Sequence, residues 1–190
     1  MVKETNDISE VVEEIITRNQ RIHDTWRNVF GWAPDEAAAL LAKSRLDRQV
    51  SLSHCLKIWL DKPDEDYVEG CLVLAWVNLG SLVEGTMKFF LSVFLMDYLK
   101  DPAKSRSKDV DPDVLQLEGL RQFFLQRNIW MENNESRWDQ WVLHIQQHRN
   151  AIHTYKDREI GTFDEFWGDL RQYLEFLDEL EGRVPDPETI

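Results

Sequence analysis

Thirty residues in the middle of the chain, GCLVLAWVNLGSLVEGTMKFFLSVFLMDYL from Gly70 to Leu99, constrain the fold more than any other stretch. Around Leu72 to Val77 the run is apolar on nearly every side. A surface helix carries one apolar stripe, whereas a helix apolar all round has to be enclosed by other elements. The pattern predicts one long, central, buried helix from about Asp64 to Leu99. Glycine is scarce, with eight in 190 residues, and no segment alternates like a strand for long, so the enclosing elements are helices too. The fold class that follows is all-α, a helical bundle of about five to six helices.

The other helices follow from apolar spacing and punctuation. A first helix should open after Asp7 or Ser9 and run to about Phe30, on Ile8, Val11, Val12, Ile15, Ile16, Ile22 and Trp26, with Gly31 and Pro34 ending it. A second should run unbroken from about Pro34 to Leu60. Residues 101–113, DPAKSRSKDVDPD, read as a loop. A fourth helix spans about Asp113 to Arg127. After the polar stretch 131–136, a fifth spans about Glu135 to Tyr155 on Trp138, Trp141, Val142, Ile145 and Ile152. Thr162 and Glu165 have the capping-box spacing and should open the last helix, about Phe163 to Leu180. The expected organisation is a helical hairpin over residues 1–62, a bundle over 63–181 and a frayed tail over 182–190.

A chain of 190 residues buries roughly 70% of its unfolded surface and needs no cross-links. Cys55 and Cys71 form no CxxC pair and read as reduced core thiols, which suits a cytoplasmic protein. The acidic start of the chain has no signal-peptide apolar block, and the apolar run Phe89–Met96, broken by Ser92, is short for a membrane span. No membrane association is expected.

Several chemistries lack their residues. None of the five histidines has a glutamate three residues before it, and there is no His-Glu-x-x-His or calcium loop, so no metal site is expected. There is no phosphate-binding glycine loop and no Gly-x-Ser-x-Gly elbow, and no cofactor is expected. The net charge of −13 argues against a generic nucleic-acid coat, because phosphate neutralisation dominates that binding.

Within this acidic chain, residues 144–158 form a basic island with Arg149, Lys156 and Arg158 against Asp157. Its centre reads QHRNAIHTY, residues 147–155. On a continuous helix Arg149 and His153 stack one turn apart, with His148 and Ile152 on the neighbouring stripe. Arg149 also follows Val142 and Ile145 by seven and four residues, which sets it beside the buried face. A planar guanidinium suits phosphate, imidazole suits proton transfer near neutral pH, and Asn150 can orient either. An ordinary ion-paired helix face fits the same spacing.

The segment RNAIHTY, Arg149 to Tyr155, resembles the signature of the HEPN superfamily, all-α bundles of prokaryotic toxins and defence ribonucleases. Arg149-Asn150, His153 and Tyr155 match its roles, although three residues separate Arg149 from His153 where the family usually has four to six. The stretch LGSLVEGTMKFFL, residues 79–91, is similar to a family helix with an acid in an apolar run, here Glu84, which would pair with Arg149 or His153. The likeness covers about residues 64–180. It implies a metal-independent endoribonuclease, a homodimer with two motifs across one cleft, RNA as substrate and an antitoxin or other protein as partner. Arg149, His153 and Asn150 would be catalytic, with Glu84, Tyr155 and His148 in support. Arg18 to His23 satisfies the four-residue gap but has Thr25 where the tyrosine belongs. The competing expectation is a non-catalytic HEPN-like scaffold, its interface anchored by Trp130, Trp138, Trp141, Trp167, Phe163 and Phe166.

Overall fold

The computed structural model describes residues 7–130, 137–153, 155 and 157–185. The polar stretch 131–136, Lys156 of the basic island and the end of the expected tail lie outside them. The described chain is an all-α bundle of eight α-helices: α1 (Ile8–Trp26), α2 (Asp35–Lys43), α3 (Leu46–Cys55), α4 (Val68–Val93), α5 (Leu95–Tyr98), α6 (Leu117–Gln126), α7 (Arg137–Arg149) and α8 (Phe163–Glu181).

The apolar run forms α4, and α2, α3, α6, α7 and α8 pack around it, while α1 lies against α3 and α8. By length and composition α4 could cross a bilayer, a feature the short-run reading missed. Yet more than half of its most apolar stretch is buried inside the fold. Trp76, Leu79, Leu82, Val83 and Met87 are shut off from solvent. One contiguous core joins α1 to α8, so the first sixty residues share it with the rest.

The expected second helix is in fact two. Ser44 and Arg45 leave helical geometry, with ψ of 148° and 57°. The Ser44 hydroxyl donates to the Leu41 carbonyl, a local bond that competes with helix continuation. The bend lets Leu41 and Leu46 both reach the core. Helix α1 stops four residues early, at Trp26, and Gly31 takes the positive φ of 84° that the turn needs. The loop 101–113 holds a two-residue hairpin, Lys104–Ser105 with Lys108–Asp109, whose turn residues Arg106 and Ser107 both have positive φ. Helix α6 begins at Leu117, after a 3-10 turn at Pro112–Val114. The capping box at Thr162 and Glu165 forms as the spacing predicts.

The aromatic residues go mainly to the core. Trp130, Trp138, Trp141, Phe163 and Phe166 are buried, and Trp167 is half-buried with its indole N–H on the Trp59 carbonyl. They therefore are not exposed interface anchors. Cys55 and Cys71 are free and half-buried rather than fully enclosed.

Candidate functional site

The QHRNAIHTY segment sits where α7 meets the middle of α4. Helix α7 ends at Arg149, and Asn150–Ile152 form a single 3-10 turn. Ala151 is buried beneath that turn, which packs on α4. His153 closes the turn with φ −81° and ψ 68°. The one-face stacking of Arg149 and His153 expected from a continuous helix therefore does not hold. The chain tightens because burying the small Ala151 against α4 takes precedence, and the following Asn, Ile, His and Thr are weak helix formers.

Arg149 lies along α4. Its Nη1 donates to Glu84 Oε2 at 2.6 Å, the pairing that the resemblance implied. Glu84 also accepts from Lys88 at 2.8 Å. Burial pushes the Glu84 carboxyl up, but the bonds from Lys88 and Arg149 outweigh it and hold the group below the usual glutamate range. The Arg149 side chain retains 30% of its exposure, and its other N–H groups are not taken up by the described residues.

Two glycines on α4 make these approaches feasible. A Cβ at Gly80 would come within 2.7 Å of Arg149 Cδ and 3.1 Å of its Cβ and Cγ. One at Gly85 would meet the Gln49 amide at 2.1 Å. That Gln49 amide donates to the Leu82 carbonyl at 2.8 Å and to Thr86 at 3.2 Å. Helix α4 thus receives a polar side chain from each flank, one on either side of Glu84.

His153, Ile152 and Tyr155 are exposed, Tyr155 completely, while Asn150 and His148 are half-buried. His148 points away from the motif. Its Nδ1 donates to the His144 carbonyl at 3.0 Å, and its ring lies 4.5 Å from Trp76 and 4.2 Å from His144. His144 in turn is held by Asp169 of α8. The His144 Nε2 to Asp169 Oδ2 distance is 2.9 Å, and Trp141 Nε1 donates to Asp169 Oδ1 at 2.7 Å. The hydrogen bond to Asp169 raises the His144 pKa against the opposing effect of burial. Asp169 was not singled out from sequence. Its apolar-face spacing on α8, three residues after Phe166 and one before Leu170, is the signal that marks it as inward-facing.

The earlier Arg18 to His23 match is structural. Arg18 Nη1 donates to Asp178 at 2.8 Å and Glu181 at 3.2 Å, tying α1 to α8, and His23 pairs with its neighbour Asp24. Among the described residues no group of three or more His, Cys, Asp or Glu gathers in a metal-binding arrangement. Comparisons with protein-family models, curated proteins and solved structures give no match.

Proposed function

We propose that the α7–α4 junction is an RNA-cleaving site of the HEPN type, acting as an endoribonuclease in a homodimer. The observation that carries this reading is a fixed guanidinium followed, one 3-10 turn along the chain, by an exposed imidazole. Glu84 holds one corner of Arg149 at 2.6 Å, leaving other donors of the fork unused, and His153 stands in solvent four residues on. In this reading His153 removes the proton from a ribose 2′-hydroxyl. The 2′-oxygen attacks phosphorus, the bond to the 5′-oxygen breaks, and the products are a 2′,3′-cyclic phosphate and a 5′-hydroxyl. Arg149 stabilises charge on the phosphate oxygens, a contribution of roughly 2.7–4 kcal/mol for a preorganised donor. Asn150 positions the phosphate or His153, Tyr155 lines the cleft, and His148 anchors the end of α7. The second copy's motif would protonate the leaving oxygen. DNA, lacking the 2′-hydroxyl, would not react. A toxin or defence role, with an antitoxin or other protein as partner, belongs to the same reading.

The test is incubation of purified protein with a mixed RNA pool in EDTA, beside an Arg149→Ala/His153→Ala variant. Cleavage by the wild type alone, with cyclic-phosphate ends, is the expected result. Equal cleavage by both proteins, or none, moves the reading to the alternative. That alternative is a non-catalytic HEPN-like dimeric scaffold or partner-binding protein. The Glu84–Arg149–Lys88 cluster favours it specifically, since the same 2.6 Å pair serves as a tether between α7 and α4.

A further inference from the structure

A cavity of about 580 Å³ opens at the far end of α4, roughly two helical turns beyond Glu84. Its wall is mostly apolar: Phe90, Leu91 and Phe94 of α4 and its end, Tyr98 of α5, Phe123 of α6, and Ile129 beyond it. The polar groups are few and sit around this wall: Asp97, Asp101, Arg127, Asn128 and Arg183. A concave, largely apolar site with a small number of polar groups is the usual form of a small-molecule pocket, and the volume falls within the typical range of roughly 300–1,000 Å³.

The charges that line the site sum to zero, two aspartates against two arginines, but they are not paired alike. Asp97 is paired with Lys100 at 2.6 Å, and Asp101 with Arg127 at 2.8 Å. Arg127 additionally lies over the Phe123 ring, 5.3 Å from its centroid. Arg183 is different. Its guanidinium sits over Phe90 at 4.9 Å, and its nearest carboxylate, Glu179, is 3.9 Å away, too far for a hydrogen bond. The Arg183 Nη1 atom is sealed from water and has no hydrogen-bond partner. Nη1 therefore does not face the cavity, but the Arg183 side chain keeps 23% of its exposure and makes no hydrogen bond to the described residues, and a planar guanidinium is best satisfied by a carboxylate.

We propose that this cavity binds a free medium-chain aliphatic carboxylate. The acyl chain lies against Phe90, Phe94, Phe123 and Ile129, and the carboxylate accepts from Arg183. The apolar wall fixes the aliphatic part, and the accessible edge of the Arg183 guanidinium fixes the sign of the head group. This site is separate from the Arg149–His153 centre and stands whether or not that centre cleaves RNA.

Isothermal titration calorimetry with octanoate, decanoate and decyltrimethylammonium, each below its micelle concentration, tests the proposal on the full chain. Decanoate should bind one to one, with a Kd on the order of 10 μM. Octanoate should bind about tenfold more weakly, since each methylene is worth about a factor of three to four. The cation should bind at least about tenfold more weakly than decanoate. Arg183→Gln should erase the preference for the anion, and Ile129→Trp should block both chains by filling the cavity. Far-UV circular dichroism and thermal unfolding show that each variant folds. Equal affinity for decanoate and decyltrimethylammonium overturns the proposal, as does binding that neither variant weakens. No heat with any of the three ligands overturns it too. So does a concentration-dependent dimer that Ile129→Trp abolishes, which assigns the face to a second copy.

Discussion

Gly80→Ala should reveal whether Arg149 is built into the helix packing or merely rests on its surface. In an ordinary helix interior the change is favourable by about 0.5–1 kcal/mol, because alanine restricts the unfolded chain and glycine does not. Here the new methyl carbon would come within 2.7 Å of Arg149 Cδ and 3.1 Å of its Cβ and Cγ. The Cδ can swing aside through a rotamer change, but the Cβ is fixed to α7, so the two helices must separate by a few tenths of an ångström. Overpacking of this kind costs about 1–3 kcal/mol. The net expectation is destabilisation by about 1–2 kcal/mol, once the propensity gain is subtracted. Arg149→Gly removes the Cβ, Cγ and Cδ contacts together, and Glu84 keeps its 2.8 Å bond from Lys88. In that background Gly80→Ala should be neutral or stabilising. A double-mutant cycle from urea unfolding should therefore give a coupling of about 1–2 kcal/mol, or roughly half a molar to one molar in the midpoint. Additivity within about 0.5 kcal/mol would refute the reasoning, because it would mean that Gly80 does not hold space for Arg149.

Three further outcomes follow from other parts of the fold. The folded His144 pKa is raised above 6.5 by Asp169, so the stabilisation from this pair is complete below pH 6.5 and is lost as pH rises through the folded value. Urea midpoints measured from about pH 5.5 to 8.5 should decline for the wild type and flatten for Asp169→Asn, which also loses about 1–3 kcal/mol because its amide is a poorer acceptor for Trp141 and His144. Burial pushes the Tyr173 phenol up to about 12, so spectrophotometric alkaline titration should show one tyrosine that ionises only near unfolding, and Tyr173→Phe should remove it at a cost of about 1 kcal/mol. Thr162→Ala breaks the capping box of α8 and should lower stability by about 1 kcal/mol in thermal or urea unfolding, whereas Thr162→Ser should not.

The large features were legible because they rest on periodicity. The all-apolar run of α4 demanded enclosure, and Thr162 with Glu165 marked the start of α8 to the residue. The inward acid of α4, Glu84, is on Arg149 as the resemblance implied. What escaped is set by tertiary contact. The break at Ser44–Arg45 is decided by where Leu41 and Leu46 must both be buried, and periodicity over Asp35–Trp59 looks continuous across it. The end of α7 at Arg149 depends on Ala151 seating against α4, which no local pattern announces. Gly80 and Gly85 look like mild helix defects in sequence, and only the side chains of Arg149 and Gln49 explain them. The spacing of Asp169 marks it as inward-facing, but its partners show only when Trp141 and His144 are seen to converge on it.

The seam between α1 and α8 has a consequence for how the chain comes to be made. Val11, Val12, Ile15 and Ile16 of α1 are buried, and Arg18 and Arg21 clasp Asp178 and Glu181 across 160 or more residues of sequence. A ribosome adding roughly 5–20 residues per second takes on the order of 10–30 s to travel from the end of α1 to the end of α8. Helices α2 and α3 can shelter part of the early aliphatic surface in that interval, but the remainder waits for the last helix to emerge. The half-synthesised chain, with an acidic exterior and an open Val–Ile groove, is therefore the form in which this molecule most needs a chaperone.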